Sequence, residues 1–326
     1  MRVLVTGATG FIGRRLVDRL LAVGCEVAAL ARCEAHQLPP AVARLPADIT
    51  VPDSLKVVER GFDCLYHLAA LVTFDPRRRG ELMHVNAAGT RNVLEMARTA
   101  GIPRVVVVSS ACTVGVSGSQ DIVLEESAVA GPLQIAGNPY LASKLEAEKI
   151  AQGFAHDQGQ RIVIVNPTTV YGPGDDTLNS GTLIRKVASS AWLPVPPGGS
   201  NVVDVDDVAE GIRLAAEKGA SGKRYILGGE NLPFADIFAT VASVVGSRPH
   251  RVPLPRLFRE PMAWAVGLAG RLTGNRFLSG QLLRELFSFK YYSSQRAAQE
   301  LGWTRRYGFR ESVGRAWQYY RSRQLI

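Results

Sequence analysis

Short apolar runs alternate with amphipathic stretches through the first half of the chain. Residues 2–5 form an apolar run that predicts a buried strand, residues 14–24 carry apolar side chains at helical spacing, and residues 26–31 predict a second strand. The same pattern predicts further strands at residues 43–47, 62–68, 104–109 and 161–165, and helices at about 52–60, at 81–100 and from 138 onward. This alternation predicts an α/β fold with a Rossmann-type, doubly wound parallel sheet.

The second half of the chain breaks this rhythm. Proline and glycine crowd residues 194–199, residues 202–209 lead into a helix, and residues 224–228 predict one more strand. From residue 233 on, the pattern is mostly helical. We therefore expect a Rossmann domain over residues 1–170, joined or bordered by the segments around 201–209 and 224–228, and a smaller helix-rich C-terminal lobe over residues 171–326.

The composition is that of an ordinary globular protein. The 326 residues are 46% hydrophobic and 21% charged, which is ample apolar material for a core. A formal charge of +9 and a pI near 9.6 invite a nucleic-acid interpretation. The basic residues are spread, however, with clusters only at 77–79 and in the C-terminal region, and they are not interleaved with aromatic residues. We expect no nucleic-acid partner, and either a solvated basic surface or attraction of an anionic cofactor, substrate or membrane.

The cysteines predict neither disulfides nor a metal site. Four of them, with no CxxC pair and all on or beside predicted strands, look like reduced packing residues: Cys25, Cys33, Cys64 and Cys112. The first core strand begins at residue 2, so we expect no signal peptide, and the longest apolar stretch, near residues 261–270, is too short to span a bilayer. The expected location is the cytoplasm, either soluble or peripheral to the inner membrane.

Three glycines follow the first strand at three-residue spacing. Gly7, Gly10 and Gly13 stand between that strand and the helix after it. Glycine permits a tight turn and lets the backbone approach a pyrophosphate, while the helix N-terminus offers free N–H groups and the positive end of its dipole. With a second strand completing the unit, this context predicts a bound dinucleotide. The C-terminal lobe would then bind the substrate.

The ends of the second and third strands bear on which dinucleotide binds. The second strand ends at Arg32, with no acid before Glu34. An arginine there can pair with a 2′-phosphate, whereas an acid would accept from the ribose hydroxyls, so NADP(H) is favoured over NAD(H). The alternative is that Arg32 merely covers the adenine. Asp48, after the third strand, would either accept from the adenine amino group or cap the next turn.

The fourth strand ends in small residues. Ala69 and Ala70 would let a flat cofactor lie against the backbone. His67 lies inside an apolar strand and is expected to be a packed core residue rather than a catalyst.

Tyr140 and Lys144 are the candidate catalytic pair. They lie four residues apart at the start of a predicted helix and therefore share one face. A tyrosine with an ordinary pKa near 10 exchanges protons poorly at neutral pH, and we expect the Lys144 ammonium and the helix N-terminus to lower the pKa of Tyr140. The pair would then move a proton at a carbonyl or alcohol while a nicotinamide moves a hydride. Ser110, at the end of the fifth strand, is expected to donate to the same oxygen.

Five motifs together resemble those of the extended short-chain dehydrogenase/reductase superfamily, which includes the NAD-dependent epimerase/dehydratase family. They are residues 6–13 (TGATGFIG), 67–70 (HLAA), 109–111 (SSA) and 166–167 (NP), with Tyr140 and Lys144 as YxxxK. Their order and spacing cover nearly the whole chain.

The resemblance implies a catalytic triad of Ser110, Tyr140 and Lys144, with Asn86 as a supporting member of the proton relay. Together with Arg32, the residues then expected to line the dinucleotide are Gly7, Thr9, Gly10, Phe11, Ile12, Gly13, Asp48, Ile49, Leu68, Ala69, Ala70, Ser109, Tyr140, Lys144, Pro167, Thr168 and Val170. The dimer usual in this superfamily would form on the helices around residues 84–100 and 140–157, so we expect a homodimer.

Two branches of the superfamily compete. Nucleotide-sugar epimerases and dehydratases have an acid at the end of the second strand, retain NAD, and grip the sugar diphosphate with an arginine that residues 200–207 (SNVVDVDD) lack. Dihydroflavonol-reductase-like and 3β-hydroxysteroid-dehydrogenase-like proteins instead have an arginine near position 32. Residues 225–231, 291–294 and 300–303 are similar to bacterial members of this second branch, above all to the so-called hopanoid-associated sugar epimerases.

These likenesses favour an NADP(H)-dependent oxidoreductase that interconverts a ketone and a secondary alcohol on a small, apolar molecule. A sugar or nucleotide-sugar epimerase or dehydratase with tightly held NAD is the alternative within the family. A dinucleotide-sensing module without catalysis is the alternative of a different class. The intact Ser110, Tyr140 and Lys144 count against this module.

Two C-terminal stretches leave the surroundings of the substrate open. Residues 257–264 and 277–287 are amphipathic, with arginines between apolar side chains. They would pack on the core, line an apolar substrate opening, or rest as a basic face on a membrane.

Overall fold

The computed structural model describes residues 1–32, 37–157, 160–273 and 280–326. The strands within them are β1 (Arg2–Thr6), β2 (Glu26–Ala31), β3 (Ala43–Pro46), β4 (Cys64–His67), β5 (Arg104–Val108), β6 (Arg161–Pro167), β7 (Thr169–Tyr171), β8 (Trp192–Val195), β9 (Gly199–Asp204), β10 (Arg224–Leu227), β11 (Glu230–Pro233), β12 (His250–Pro253) and β13 (Phe289–Lys290). The helices are α1 (Phe11–Ala22), α2 (Arg79–Leu82), α3 (Gly89–Thr99), α4 (Pro132–Gly137), α5 (Pro139–Asp157), α6 (Gly181–Ser189), α7 (Val205–Lys218), α8 (Phe234–Val245), α9 (Arg259–Thr273), α10 (Gly280–Leu286) and α11 (Phe309–Ser322).

Seven parallel strands form the central sheet, in the order β3-β2-β1-β4-β5-β6-β10. Helices α1 and α7 cover one face and α3 and α5 the other, which explains why β1 and β5 are almost continuously apolar. In β1, Val3 lies beside Val27 of β2 and Cys64 of β4, so the strand order reverses at this point. Doubly wound sheets bind their ligands at the carboxyl ends beside such a reversal. The predicted doubly wound parallel sheet is confirmed.

Two elements from the second half of the chain complete this sheet. Strand β10 pairs with β6 at the edge, and α7 packs along α1. Ion pairs join Arg15 to Asp206 at 2.6 Å and Arg19 to Glu210 at 2.7 Å. Because these pairs are partly exposed, the buried apolar face of α7 supplies most of the attachment. The domain boundary near residue 170 stays a prediction.

The second half contains more strand than the sequence indicated. Strand β9 pairs with β7 and β13 on one edge and with β11 on the other, and β8 pairs with β12. We expected residues 202–209 only as a lead into a helix, but residues 199–204 are a fully buried strand. Their partners come from distant parts of the chain, so no local pattern marks them.

One predicted helix is wrong in type and length. The segment around residues 52–60 is a 3₁₀-helix over Pro52–Val57 only. The next residue, Val58, is extended, and Gly61 has a φ of +103°. Two adjacent β-branched residues and a left-handed glycine end the helix early.

The structure also bears on the cysteines and the longest apolar stretch. Cys25, Cys64 and Cys112 are free thiols, and Cys33 lies outside the described residues. In the described ranges, no helix is long and apolar enough to cross a membrane. The same ranges hold no group of three or more His, Cys, Asp or Glu residues suited to a metal ion.

Candidate active site

The glycine loop lies at the carboxyl end of β1, beside β4. Gly7 has a φ of +70°, and a Cβ there would lie 2.6 Å from the backbone nitrogen of Ala69. A Cβ on Gly13 would lie 2.1 Å from the Gly7 carbonyl oxygen. The turn that delivers α1 to the strand end therefore excludes a side chain at both positions. No side chain caps the start of α1, and its first turn holds no acid, so its first N–H groups suit an anion.

A buried hydrogen-bond chain links this loop to Asn86. The Thr6 hydroxyl lies 2.7 Å from His67 Nδ1, His67 Nε2 lies 3.0 Å from Thr90 Oγ1, and Thr90 donates to the Asn86 carbonyl at 2.6 Å. The Thr90 hydroxyl donates its hydrogen to the Asn86 carbonyl, so Thr90 Oγ1 accepts from His67 Nε2–H. Neutral His67 with its hydrogen on Nε2 therefore satisfies every hydrogen bond in the chain. Burial, reinforced by the charge of Lys144, lowers the pKa of His67 to about 3. The prediction that His67 is a packed residue is confirmed.

The segment after β4 lies close to the glycine loop. The Leu68 N–H donates to the Thr6 carbonyl at 3.1 Å, and the Ala69 N–H lies 3.2 Å from Thr6 Oγ1. Ala69 and Ala70 have only methyl side chains, which leave room for a flat ligand to lie against the backbone at this strand end.

Arg32 and Asp48 lie at the carboxyl ends of β2 and β3. The Arg32 side chain is exposed. Burial raises the pKa of Asp48, but hydrogen bonds from the Thr50 N–H at 2.8 Å and hydroxyl at 2.7 Å, together with the charge of Arg32, hold that pKa below its ordinary value. One Asp48 oxygen therefore caps the next turn. Glu34 lies outside the described residues.

Three other predicted cofactor residues pack against the protein: Ile49 is buried, and Thr168 and Val170 are partly buried. Ile49 packs so closely on α3 that a Cβ on Gly89 would lie 2.9 Å from its Cδ1. Thr168 donates to Asn201 Oδ1 at 2.8 Å, and Val170 packs against the core beneath α7. A role for these three residues in cofactor binding stays a prediction. The glycine loop and the first turn of α1 hold four further predicted cofactor-binding residues: Thr9, Gly10, Phe11 and Ile12.

Ser110, Tyr140 and Lys144 meet at the carboxyl end of β5. Lys144 donates from Nζ to the Val108 carbonyl at 2.9 Å, and the Ser110 side chain lies beside that of Tyr140. Ser110 also caps the short 3₁₀-helix Ala111–Val114, which orients its hydroxyl. The sequence predicted this triad from spacing and resemblance, and the fold brings its members together.

Burial decides the charge states of this group. The Tyr140 ring is partly exposed, but burial around its hydroxyl raises the pKa of Tyr140, and the hydrogen bond from Ser110 offsets this only in part. Burial also lowers the pKa of Lys144 to about 8. The expectation of a lowered Tyr140 pKa is therefore wrong for this structure, because desolvation outweighs the effect of Ser110, the group that favours the phenolate. Tyr140 is neutral and can donate a proton.

Asn86 lies in the π-helical turn Met83–Ala88, which joins α2 to α3. Its Oδ1 accepts from the Leu71 N–H at 2.7 Å, and its Nδ2 lies 2.9 Å from both the Leu71 carbonyl and Ser143 Oγ. Ser143 in turn donates to the Tyr140 carbonyl at 2.8 Å. The side-chain amide thus ties the loop after β4 to the start of α5. A role for Asn86 in proton relay stays a prediction.

An apolar side chain that the sequence analysis missed lies beside Tyr140. The Phe74 ring packs edge-on against the Tyr140 ring, with centroids 5.7 Å apart and planes at 70°. Phe74 remains 42% exposed, and Val72 in the same loop and Leu133 in α4 are exposed as well. These residues lie in segments without periodicity, so the sequence carried no signal for them.

The site has the features that a dinucleotide requires. The glycine cradle would be filled by a Cβ, and the start of α1 is uncapped. Ser109 Oγ, at the end of β5, is buried and has no hydrogen-bond partner among the described residues, which leaves a polar atom for a ligand. Exposed Arg32 is a cation at the end of β2.

Comparison with protein families finds one match over most of the chain. Residues 3–228 match the model of the NAD dependent epimerase/dehydratase family. The matched range includes every predicted cofactor and catalytic residue.

Comparison with individual proteins finds similar chains of nearly the same length. A Synechocystis protein named "Putative dihydroflavonol 4-reductase" is 34% identical over 91% of this chain and 88% of its own. Sterol demethylase protein B of Methylococcus capsulatus is 32% identical over 93% of each chain. The crystal structure of gox2253 superposes with a TM-score of 0.87 at 29% identity, covering 99% of both chains.

Proposed function

The chain belongs to the NAD dependent epimerase/dehydratase family of extended short-chain dehydrogenases/reductases, and we propose that it is an NADP(H)-dependent oxidoreductase interconverting a ketone and a secondary alcohol. Membership confirms the resemblance seen in the sequence and makes the chain an enzyme that binds NAD(P). The observation that carries the proposal is the meeting of Ser110, Tyr140 and Lys144 at the strand end next to the glycine loop.

The residues act on the substrate oxygen. The nicotinamide, when bound, supplies or accepts the hydride. In the reductive direction neutral Tyr140 gives its phenolic proton to the carbonyl oxygen as that oxygen gains negative charge. Ser110 donates a hydrogen bond to the same oxygen and orients it. Lys144, protonated below about pH 8, stabilises the phenolate left behind and supplies a donor for the ribose. Gly7, Gly10 and Gly13 would hold the pyrophosphate against α1.

An apolar substrate is the second part of the proposal. Phe74 presents exposed apolar surface against Tyr140, and Val72 in the same loop is exposed as well, which favours a molecule that buries them. The arginine that would grip a sugar diphosphate is absent from residues 200–207. The two relatives named above, a reductase and a sterol demethylase protein, are consistent with this substrate class.

We expect Arg32→Asp to reverse the cofactor preference. The wild-type protein should bind NADPH more tightly than NADH, because the exposed guanidinium can pair with a 2′-phosphate. Loss of that pair and gain of a carboxylate should weaken NADPH about 10- to 100-fold and leave NADH within a few fold. Titration of the emptied protein with both nucleotides, followed by fluorescence, measures this directly.

Arg44→Asp is the matched control, because Arg44 is exposed on β3 and its substitution changes the net charge by the same amount. An equal loss in both variants would mean that Arg32 acts only through net charge.

The same purified protein also separates the proposed oxidoreductase from the epimerase and from the sensing module. NAD that stays tightly bound through purification would favour the epimerase, and nucleotide binding without turnover of any carbonyl compound would favour the sensing module.

We also propose a cytoplasmic homodimer formed on α3 and α5. The outer face of α3 is polar, with Arg91, Glu95 and Arg98 exposed, so a dimer there should weaken with salt. Sedimentation should give twice the 35.2 kDa chain mass at low salt. A monomer under those conditions would contradict this assembly.

The face of α9 supports peripheral membrane contact. Leu257, Trp264 and Leu272 lie on one side of this helix and the turn before it, and Trp264 is 69% exposed. Arg256 and Arg259 flank them, which suits an anionic lipid surface. The helix therefore does not bury this face on the core. Residues 277–279 of the other amphipathic stretch lie outside the described residues.

Trp264→Glu should lower the fraction of protein that floats with anionic vesicles about tenfold, because it places a charge in the apolar face. Trp192→Glu is the control, since Trp192 is equally exposed on β8. Protein that stays at the bottom of the gradient in every case would rule out membrane contact.

A further inference from the structure

Glu148 lies one helical turn after Lys144 on α5, on the same face of the helix. Its side chain is 2% exposed. One carboxylate oxygen accepts from Thr113 Oγ1 at 2.8 Å and Asn166 Nδ2 at 2.6 Å, and the other pairs with Arg224 Nη1 at 3.1 Å. A carboxylate this deeply buried needs donors on both oxygens and a cation beside it, and Glu148 has them.

The donors to Glu148 also hold the turn that carries Ser110. Thr113 Oγ1 lies 2.9 Å and Asn166 Nδ2 lies 3.0 Å from the Ser110 carbonyl oxygen. The Asn166 amide has two hydrogens, so with one directed to Glu148 the other is directed to this turn. Thr113 has one hydroxyl hydrogen, which is donated to either Glu148 or the Ser110 carbonyl, so Asn166 is the donor that can join the two at once.

Glu148 is also one of the titratable groups around the Lys144 ammonium. From β4, Lys144 faces neutral His67, and from the turn after β5 it faces Cys112, whose burial raises its pKa to about 11 and keeps it a thiol. On α5 itself it faces neutral Tyr140 and the carboxylate of Glu148. Burial lowers the pKa of Lys144, and Cys112 and the negative charge of Glu148 oppose that effect. In the described part of the chain, Glu148 is thus the carboxylate that favours the ammonium.

We propose that Glu148 is a positioning residue, whose carboxylate fixes the Ser110 turn against α5 and places an anion one helical turn behind the Lys144 ammonium. This inference rests on the proposed function, because it assigns Glu148 to the same reaction. Glu148 does not reach the substrate oxygen itself and acts through Ser110 and Lys144.

The test compares Glu148→Gln with the wild type and with Glu146→Gln. Glu146 lies on the same helix, is partly exposed and pairs with Lys149 at 3.7 Å. The chain has seven lysines, so ¹³C labelling of the lysine side chains gives few enough signals to assign Lys144 through a Lys144→Arg spectrum. The pH midpoint of the Lys144 signal is then read without reference to activity.

Glu148→Gln should lower the Lys144 midpoint by about one pH unit, because a nearby carboxylate has been neutralised. The reductive kcat at pH 8 should fall about fivefold, and the alkaline limb of its pH profile should move by the same interval. Glu146→Gln should change neither. A Lys144 midpoint that stays at the wild-type value in folded Glu148→Gln would overturn the proposal.

The buried Arg224 would be left unpaired in Glu148→Gln, which threatens folding. The double variant Glu148→Gln/Arg224→Met removes both charges and should fold, with the Lys144 midpoint still lowered. An unchanged midpoint there would also overturn the proposal. If the wild type reduces no carbonyl compound with either nucleotide, the proposed function fails, while the lysine titration still decides whether Glu148 sets the charge of Lys144.

Discussion

Tyr140→Phe is expected to lower kcat by about 10³-fold or more while leaving the Kd for NADPH within a few fold. The change removes one hydroxyl and keeps the ring, so the edge-on contact with Phe74 at 5.7 Å is preserved. A positioned acid of this kind contributes roughly 10² to 10⁴ in rate. In this site the effect should lie toward the upper end, because Ser110 donates a hydrogen bond but cannot replace the transferred proton. Steady-state kinetics with nucleotide titration measures both quantities.

Tyr319→Phe is the matched control. Tyr319 lies on α11, and its hydroxyl hydrogen-bonds to Asp176, which also pairs with Arg14 of α1 at 2.7 Å. This variant should keep wild-type kcat. Turnover by Tyr140→Phe near the wild-type rate would refute the proton-donor role. Loss of nucleotide binding in the same variant would instead show that the hydroxyl serves the cofactor.

Gly13→Ala is expected to abolish measurable dinucleotide binding and to destabilise the fold. A Cβ at this position would lie 2.1 Å from the Gly7 carbonyl oxygen and 3.0 Å from the Ala8 Cα, all backbone that has no rotamer to change. Either α1 moves off the strand end or the loop opens, and overpacking of this kind costs about 3 kcal/mol. Both movements displace the N–H groups that would face the pyrophosphate. Thermal unfolding and nucleotide titration give the two readouts.

Gly153→Ala is the control for this substitution. Gly153 lies within α5, and a Cβ there meets no atom within 4 Å. Alanine should stabilise the protein by up to about 1 kcal/mol, because it has the higher helix propensity. If Gly13→Ala bound NADPH with the wild-type Kd and unfolded at the wild-type Tm, the close packing of the loop would not matter for the cofactor.

The sequence by itself determined the features that depend on neighbours in the chain. Gly7, Gly10 and Gly13 stand between a strand and a helix, and that local order already predicts a dinucleotide cradle. Tyr140 and Lys144 share a helical face because they are four residues apart. The alternating pattern of the first half gave the doubly wound sheet, since strand and helix periods are local properties.

Only the tertiary structure decided what depends on distant contacts. Strand β10 reaches the central sheet after an excursion of more than fifty residues, and β9 is recognisable only from its partners. Phe74 meets Tyr140, and Arg224 meets Glu148, across 66 and 76 positions of the chain. No period or spacing encodes such pairs, because packing and not chain connectivity brings them together.

The charge states of side chains also depend on distant contacts. The sequence placed an ammonium near a phenol and predicted a lowered pKa for Tyr140, but the fold surrounds the phenol with buried groups and raises that pKa instead. Desolvation depends on every atom packed around a group, whereas spacing fixes one neighbour. The sequence therefore predicted the candidate residues of the site, and the three-dimensional packing decided their protonation.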